Sequence, residues 1–263
     1  MKHALALLAF LHPLPAAAVT ASAALTGQHA YYTFSLTKLR THDITGATGA
    51  MSFDVVDGCT GWATTQHMTM IIRGVDGSLN KSVSDYITWE SKDGKTLTFT
   101  SRESDNDGPE QIDDAGSATH NPDGSGLVTY TTPAHTAYRL PAGTLFPMQH
   151  TEALLAAGDD GKNFIAPLLF DGTDSTGAQA TFVAVLKHHA AEKTAWPALD
   201  KIPSTDVDIG FYARKSDDEN PDFRSSMRYF EDGVADKLVM DFGDFVMTGK
   251  LVRLTIPPSP CAH

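Results

Sequence analysis

Val83-Ser84-Asp85-Tyr86-Ile87-Thr88-Trp89-Glu90-Ser91, then Lys92-Asp93-Gly94, then Lys95-Thr96-Leu97-Thr98-Phe99-Thr100-Ser101-Arg102 decides the fold class. Asp-Gly between two runs rich in β-branched and aromatic residues is a strong short-range hairpin signal, because its dihedrals suit the tight turns that join twisted strands. The same period of two recurs outward in both directions. Tyr32, Phe34 and Leu36 alternate with Thr33, Ser35 and Thr37, and Met51, Phe53 and Val55 alternate with Ser52 and Asp54. Trp62, Met68, Met70 and Ile72 alternate with Ala63, His67 and Thr69 before the Asp76-Gly77 turn. Such alternation places one face of a strand in a core and the other in water. Further strands are expected at Gln111–Thr119, Leu127–Thr131, Phe164–Phe170, Gln179–Leu186, Val207–Arg214, Ser225–Phe230, Ala235–Phe242 and Phe245–Ile256. Turns at Asp123-Gly124, Asp171-Gly172 and Asp232-Gly233 separate several of them.

One stretch departs from this pattern. Pro147 to Ala157 carries helix formers, with Pro at its start and Gly158 placed to end it. Leu154 and Leu155 are positioned to bury against the sheet. A weaker helical stretch is expected at His188 to Thr194. Lys215 to Asp222 reads as a short polar loop. No composition shift or internal repeat marks a boundary, so the expectation is an all-β domain with one principal helix over residues 24–263.

The N-terminus reads as an address. Lys2 and His3 lead into an apolar run to Leu14, and Ala21-Ser22-Ala23 offers a cleavage site, the pattern of a secretory signal peptide over residues 1–23. That run is too short to span a bilayer, and no later stretch reaches the length of a membrane helix. No cysteine stands near the cleavage site to take a lipid anchor. The expectation is an exported, periplasmic protein. The net charge of −12 becomes −13 when the signal removes Lys2 and no acid. With no Lys/Arg cluster, that balance makes nucleic acid an unsuitable partner.

The chain holds two cysteines, Cys59 and Cys261. In an oxidising compartment they invite one bond; the alternative is two unpaired buried thiols. The bond would close a loop of 202 residues, for which chain entropy sets a ceiling of roughly 5 kcal/mol. It would also pin the proline-rich tail after the last strand and, if those elements lie near the edges of an open sheet, protect them from peeling.

Candidate chemical sites are sparse. Glu103-Ser104-Asp105-Asn106-Asp107-Gly108 with Asp114 imitates a calcium loop, but Pro109 and the missing flanking helices favour an acidic surface turn. His188, His189 and Glu192 offer metal donors without a third partner for either histidine, so a solvated patch is expected. His67 and His150 read as structural histidines, and Trp62 and Trp89 as core. There is no G-x-S-x-G, H-E-x-x-H or phosphate-binding glycine loop. The expectation is no catalytic residue, no cofactor and no metal.

Taken together, several stretches resemble the EipB-like family of Gram-negative periplasmic proteins of cell-envelope integrity. They are Cys59-Thr60-Gly61-Trp62, Trp89-Glu90-Ser91 with Asp93-Gly94, Gly116-Ser117-Ala118, Leu140 to Pro147 with His150, Phe170-Asp171-Gly172, Gly233-Val234 and Gly243-Asp244-Phe245. The resemblance implies a β-spiral, an antiparallel, open barrel-like sheet with a helix packed against it. It also implies a disulfide from Cys59 to Cys261, with Gly61 and Trp62 in the adjoining structural motif. Two departures stand out: Asp232 where the family tends to have Asn, and Phe242 where Tyr is usual. The family brings no catalytic residues. The first functional expectation is a non-enzymatic periplasmic factor working through contacts with envelope proteins. The second is a carrier of a lipid or lipoprotein acyl chain, and the third, less favoured, is a hydrolase.

Overall fold

Period-two patterning folds here into one continuous sheet. The structure is a computed structural model and describes residues 25–106, 108–133, 136–173, 175–212 and 220–261. The expected signal peptide and its cleavage point lie outside these, as does most of the loop Lys215–Asp222. In chain order the strands are β1 (Gln28–Leu39), β2 (Ile44–Asp57), β3 (Gly61–Gly74), β4 (Leu79–Ser91), β5 (Thr96–Asp105), β6 (Glu110–His120), β7 (Gly126–Thr132) and β8 (Thr136–Leu140). The short β9 (Thr144–Leu145) leads into helix α1 (Pro147–Asp159). Then come β10 (Phe164–Ile165), β11 (Leu168–Leu169), β12 (Gln179–His189), β13 (Ser204–Tyr212), β14 (Phe223–Phe230), β15 (Ala235–Asp241) and β16 (Phe245–Thr255).

The order across the sheet is β8 back through β1, then β16 back through β12 to β11 and β9. Both halves are hairpin meanders apart from the parallel β9–β11 pair at one edge, and the antiparallel β1–β16 pair joins them, with Tyr32 opposite Leu251 and Phe34 opposite Gly249. The first and last strands therefore meet in the middle of the sheet. Its free edges, β8 and β9, are separated in sequence only by the turn Pro141-Ala142-Gly143. The result is a barrel-like sheet with a seam, and α1 enters directly from that seam.

α1 lies between the two halves. Leu154 and Leu155 pack with Val55 and Trp62 from one side and with Val183, Val207 and Ile209 from the other. A second cluster, Leu97, Phe99, Val128, Tyr130, Phe146 and Phe170, closes the barrel near the seam, with Phe99 and Phe170 edge to face at 5.4 Å. A third surrounds the β1–β16 junction through Tyr32, Phe34, Met51 and Met247.

The structure corrects several expectations. α1 runs through Gly158 to Asp159 rather than ending before it; Gly158 is a packing residue, buried against Thr205, whose side chain occupies the place of a Cβ. There is no second helix at His188: β12 continues to His189, and only a 3-10 turn follows at Pro197–Leu199. Two adjacent histidines on a strand point to opposite faces, and the barrel's demand for a ladder partner at Ser204 and Thr205 outweighs helix-forming composition. The expected strand Phe164–Phe170 is two short pieces split about Ala166-Pro167, since Pro supplies no N–H to the ladder. Trp62 is buried, but Trp89 is 37% exposed on the outside of β4. On β4 the inward positions are Ser84, Tyr86, Thr88 and Glu90, so the larger apolar residues there face outward. The last strand lies mid-sheet, not at an edge, so the edge-protection argument for the disulfide does not hold.

Candidate functional site

The interior is organised by the start of α1. Its first amides have no partner within the helix, and Phe146 at the cap supplies no side-chain acceptor to them. Glu90 reaches across from β4 instead: Met148 N–H donates to Oε2 at 2.7 Å and Gln149 N–H to Oε1 at 3.0 Å. This buried carboxylate joins two distant elements at the positive end of the helix. Burial pushes the Glu90 carboxyl up to about 7, while the two amides pull it down. One turn on, buried His150 has Nε2 3.1 Å from Thr181 Oγ1, whose hydroxyl donates to Pro167 C=O at 2.8 Å. That hydroxyl is then an acceptor toward the ring, so Nε2 carries the hydrogen. Burial pushes the imidazole down to about 4, and it is neutral at pH 7.

Beside α1 a cavity of about 310 Å³ opens between the halves of the sheet. Thr64, Gln66, Ser84, Thr88 and Ser101 line it from the first half of the sheet and Ile209, Phe211, Phe223 and Met227 from the second, with Phe53 and Leu154 completing the lining. A neighbouring cavity of about 150 Å³, bounded by Tyr32, Met51, Leu238 and Met240, shares Phe53, Gln66, Ser225, Met227 and Tyr229 with it. Tyr86 OH donates to Asp171 C=O at 2.7 Å and fixes the Phe170–Thr173 loop at the rim.

A second organised place is the β2–β3 turn. Cys59 and Cys261 form a disulfide there, with Cα atoms 5.4 Å apart. Asp57 accepts from the Cys59 amide at 2.9 Å and from Ser259 Oγ at 3.3 Å, and Lys92 Nζ lies 2.6 Å away. Lys92 holds the Asp57 carboxyl below the usual carboxylate range. The same ammonium lies 4.2 Å from the centre of the Trp62 ring. Cys59 adopts φ 65°, a left-handed conformation that the Asp57 bond and the disulfide stabilise. Gly61 leaves room for the Trp89 ring, which a Cβ would meet at 2.5 Å. The clasp thus explains the local spacing: Asp57 orders the turn, Cys59 binds the tail, Gly61 admits Trp89, and Trp62 seats Lys92.

The EipB-like family model matches residues 19–258. This chain belongs to the EipB-like family. It is 26% identical to "Cell envelope integrity protein EipB" of Brucella abortus over 248 residues, covering 92% of this chain and 88% of that protein. It also matches a Brucella abortus crystal structure described as a β-barrel-like protein of a domain of unknown function. That match has a TM-score of 0.80, 26% identity, and coverage of 89% of this chain and 99% of the other.

Two further stretches of the resemblance lie at turns. Phe170-Asp171-Gly172 forms the rim loop, and Asp171 accepts from the Thr173 amide at 3.0 Å and from Gln179 Nε2 at 3.1 Å. Asp232, the departure from Asn, occupies a buried turn where its Oδ1 accepts from Val234 N–H at 3.1 Å. Burial pushes its carboxyl up, and Oδ2 and the nearby Gln28 Oε1 have no partner among the described residues. An amide keeps the turn bond without the buried charge. Asp232→Asn is therefore expected to stabilise the protein by about 1–2 kcal/mol at pH 8 and by less at pH 5. Denaturant melts at the two pH values check this. Phe242 stacks on Phe245 at 5.0 Å and needs no hydroxyl there.

The sequence-derived chemical candidates are dispersed. Glu103 and Asp105 lie on β5 and Asp114 on β6, opposite Ser101, so they share a hairpin rather than a loop; Asp107 lies outside the described residues. His189 Nε2 is 2.7 Å from Asp206, and Glu192 binds Arg228 at 2.8 Å. His188 turns the other way, toward Asp159 and Glu231, with the donor atoms all within 4.8 Å of one another. Burial, then the Asp159 carboxylate, pushes the Glu231 carboxyl up. No sequence spacing pointed to this grouping, because it joins a helix end, a strand and a turn. On the outer face, Asp85, His67 and Thr69 form a line with separations of 2.7 and 3.5 Å. It stands in mid-strand on an exposed surface, where the backbone amides are committed to the ladder and offer no oxyanion donors.

Proposed function

We propose that this EipB-like protein is an exported, periplasmic factor that supports envelope integrity without catalysis, through contacts between the outside of its sheet and other envelope proteins. The name of the Brucella relative supports the envelope role. The signal-like segment supports the location. The observation that carries the contact reading is an apolar patch beside the clasp. Val56 pairs with Ala63 and Ala63 with Trp89, so the three form one row on the outer face, and Ile87 adjoins Trp89. Val56 is 51% exposed, Ile87 50% and Trp89 37%. Clustered apolar side chains on a rigid outer surface mark interaction sites, whereas singly scattered ones do not.

A photocrosslinking residue in place of Trp89, in growing cells, tests the reading. The expected result is a discrete adduct with another envelope protein that disappears when Ile87→Lys is added. Absence of any adduct at position 89, or an adduct indifferent to Ile87→Lys, contradicts it. A second reading, a carrier of an apolar ligand, is favoured by the two interior cavities, which α1 and its neighbours leave unfilled.

A further inference from the structure

We propose that the barrel interior binds a single-chain, uncharged, hydroxyl-bearing lipid, its head against the Ser/Thr wall of the larger cavity and its tail in the smaller one. The inference rests on the carrier reading and gives it a ligand class.

The two cavities differ in chemistry. The larger one presents Thr64, Ser84, Thr88 and Ser101, whose hydroxyls have no hydrogen-bond partner among the described residues. Thr64, Thr88 and Ser101 are each more than nine-tenths buried, and what they leave open lines the cavity. Open to the cavity, these hydroxyls can hydrogen-bond water or, in its place, a ligand hydroxyl or ester oxygen. The smaller cavity is lined mainly by Tyr32, Met51, Phe53, Leu238 and Met240, and it suits a hydrocarbon tail.

Charge decides which head fits. The lining of both cavities includes no Lys or Arg. His150 is neutral, and the one lining acid, Asp171, is engaged by Thr173 and Gln179. A carboxylate or phosphate placed against the Ser/Thr wall would be buried without a counter-ion. An uncharged glycerol-type head is accepted there, and a fatty-acid anion is disfavoured. A free sugar fits less well, because it leaves the smaller, apolar cavity empty.

Methionine supplies the passage between the cavities. All seven methionines after Met1 pack toward the interior, and Met227 lines both cavities together with Phe53. Thioether side chains rearrange at low cost, so Met227 can shift to join the two spaces around a chain. At about 310 and 150 Å³ the combined room admits one chain and a small head, at the low end of small-molecule sites.

The test is NMR of the exported protein labelled at methionine methyl groups, titrated with 1-lauroylglycerol, with laurate at pH 8 and with chitobiose. The expected result is saturable shifts of the Met148, Met227, Met51 and Met240 methyls with lauroylglycerol. Laurate is expected to bind at least tenfold more weakly, and chitobiose to move none of them. If no probe moves an interior methyl, the carrier reading itself fails. If laurate matches lauroylglycerol, the interior carries lipid but the uncharged-head assignment is overturned. Shifts produced by chitobiose alone overturn the lipid class. Ser84→Trp, which fills the larger cavity, should abolish the shifts with lauroylglycerol while preserving the melting temperature. Undiminished shifts in a folded Ser84→Trp protein overturn the assigned site.

Discussion

Cys59→Ser and Cys261→Ser should each lower the melting temperature of the exported protein by roughly 5–15 °C, and the double variant should add little. The bond constrains the unfolded chain over 202 residues, and removing such a bond typically costs about 2–5 kcal/mol. For a domain of this size each kcal/mol is worth roughly 2–4 °C. The topology makes the unfolded-state constraint pertinent. The β1–β16 pairing that unites the two meanders joins residues far apart in sequence, and the clasp holds the chain segments flanking that pairing together before it forms. Near-additive losses in the double variant would mean that each cysteine acts alone. Melts indistinguishable from wild type, or two free thiols in protein taken directly from the periplasm, would contradict the expectation.

The second large effect concerns the cap at the start of α1. Glu90→Ala is expected to cost about 2–5 kcal/mol, because it leaves the Met148 and Gln149 amides buried without an acceptor. Its pH dependence identifies the cause. The Glu90 carboxyl is raised in the folded state to about 7, so its contribution is greatest below the ordinary value and is lost as pH rises toward 7. The His150 imidazole is lowered to about 4, so its contribution is complete above the ordinary value near 6.5 and is lost as pH falls toward 4. Between about pH 5 and 6.5 the two slopes oppose each other, and these groups together leave stability nearly flat. Glu90→Gln removes the falling arm, so stability relative to wild type should climb with pH by about 1.4 kcal/mol per unit in that window. His150→Gln should show the opposite slope. Parallel profiles for wild type and both variants would contradict the assignment.

Much of the fold was legible because its signals are local. Period-two runs, Asp-Gly turns and the Pro147 start each depend on a few neighbouring residues, and each appears in the structure. Global closure was not legible. Nothing in the composition of β1 or β16 says that they pair, since pairing partners are set by how sixteen strands share one core. The same limit hid the Glu90 cap: Glu90 looks like an ordinary strand acid until the seam delivers α1 against β4. Trp89 was misplaced because a large aromatic on an alternating strand was assigned to the core, when β4 turns a polar face inward. The cavity walls come from opposite halves of the chain, and no spacing rule connects Ser84 with Phe223. By contrast the Cys59–Cys261 bond could be expected from two cysteines and a signal-like N-terminus, whereas the Asp57–Lys92–Trp62 arrangement around it could not.

The most direct test of the contact account is restoration of envelope integrity in cells lacking the protein, measured as survival in detergent. An Ile87→Lys/Trp89→Glu protein should be exported, should melt within a few degrees of wild type because both side chains are exposed, and should fail to restore survival. Ser84→Trp, filling the interior and leaving the patch intact, should restore at least part of it. Full rescue by the patch variant would contradict the claim that the outer face carries the function.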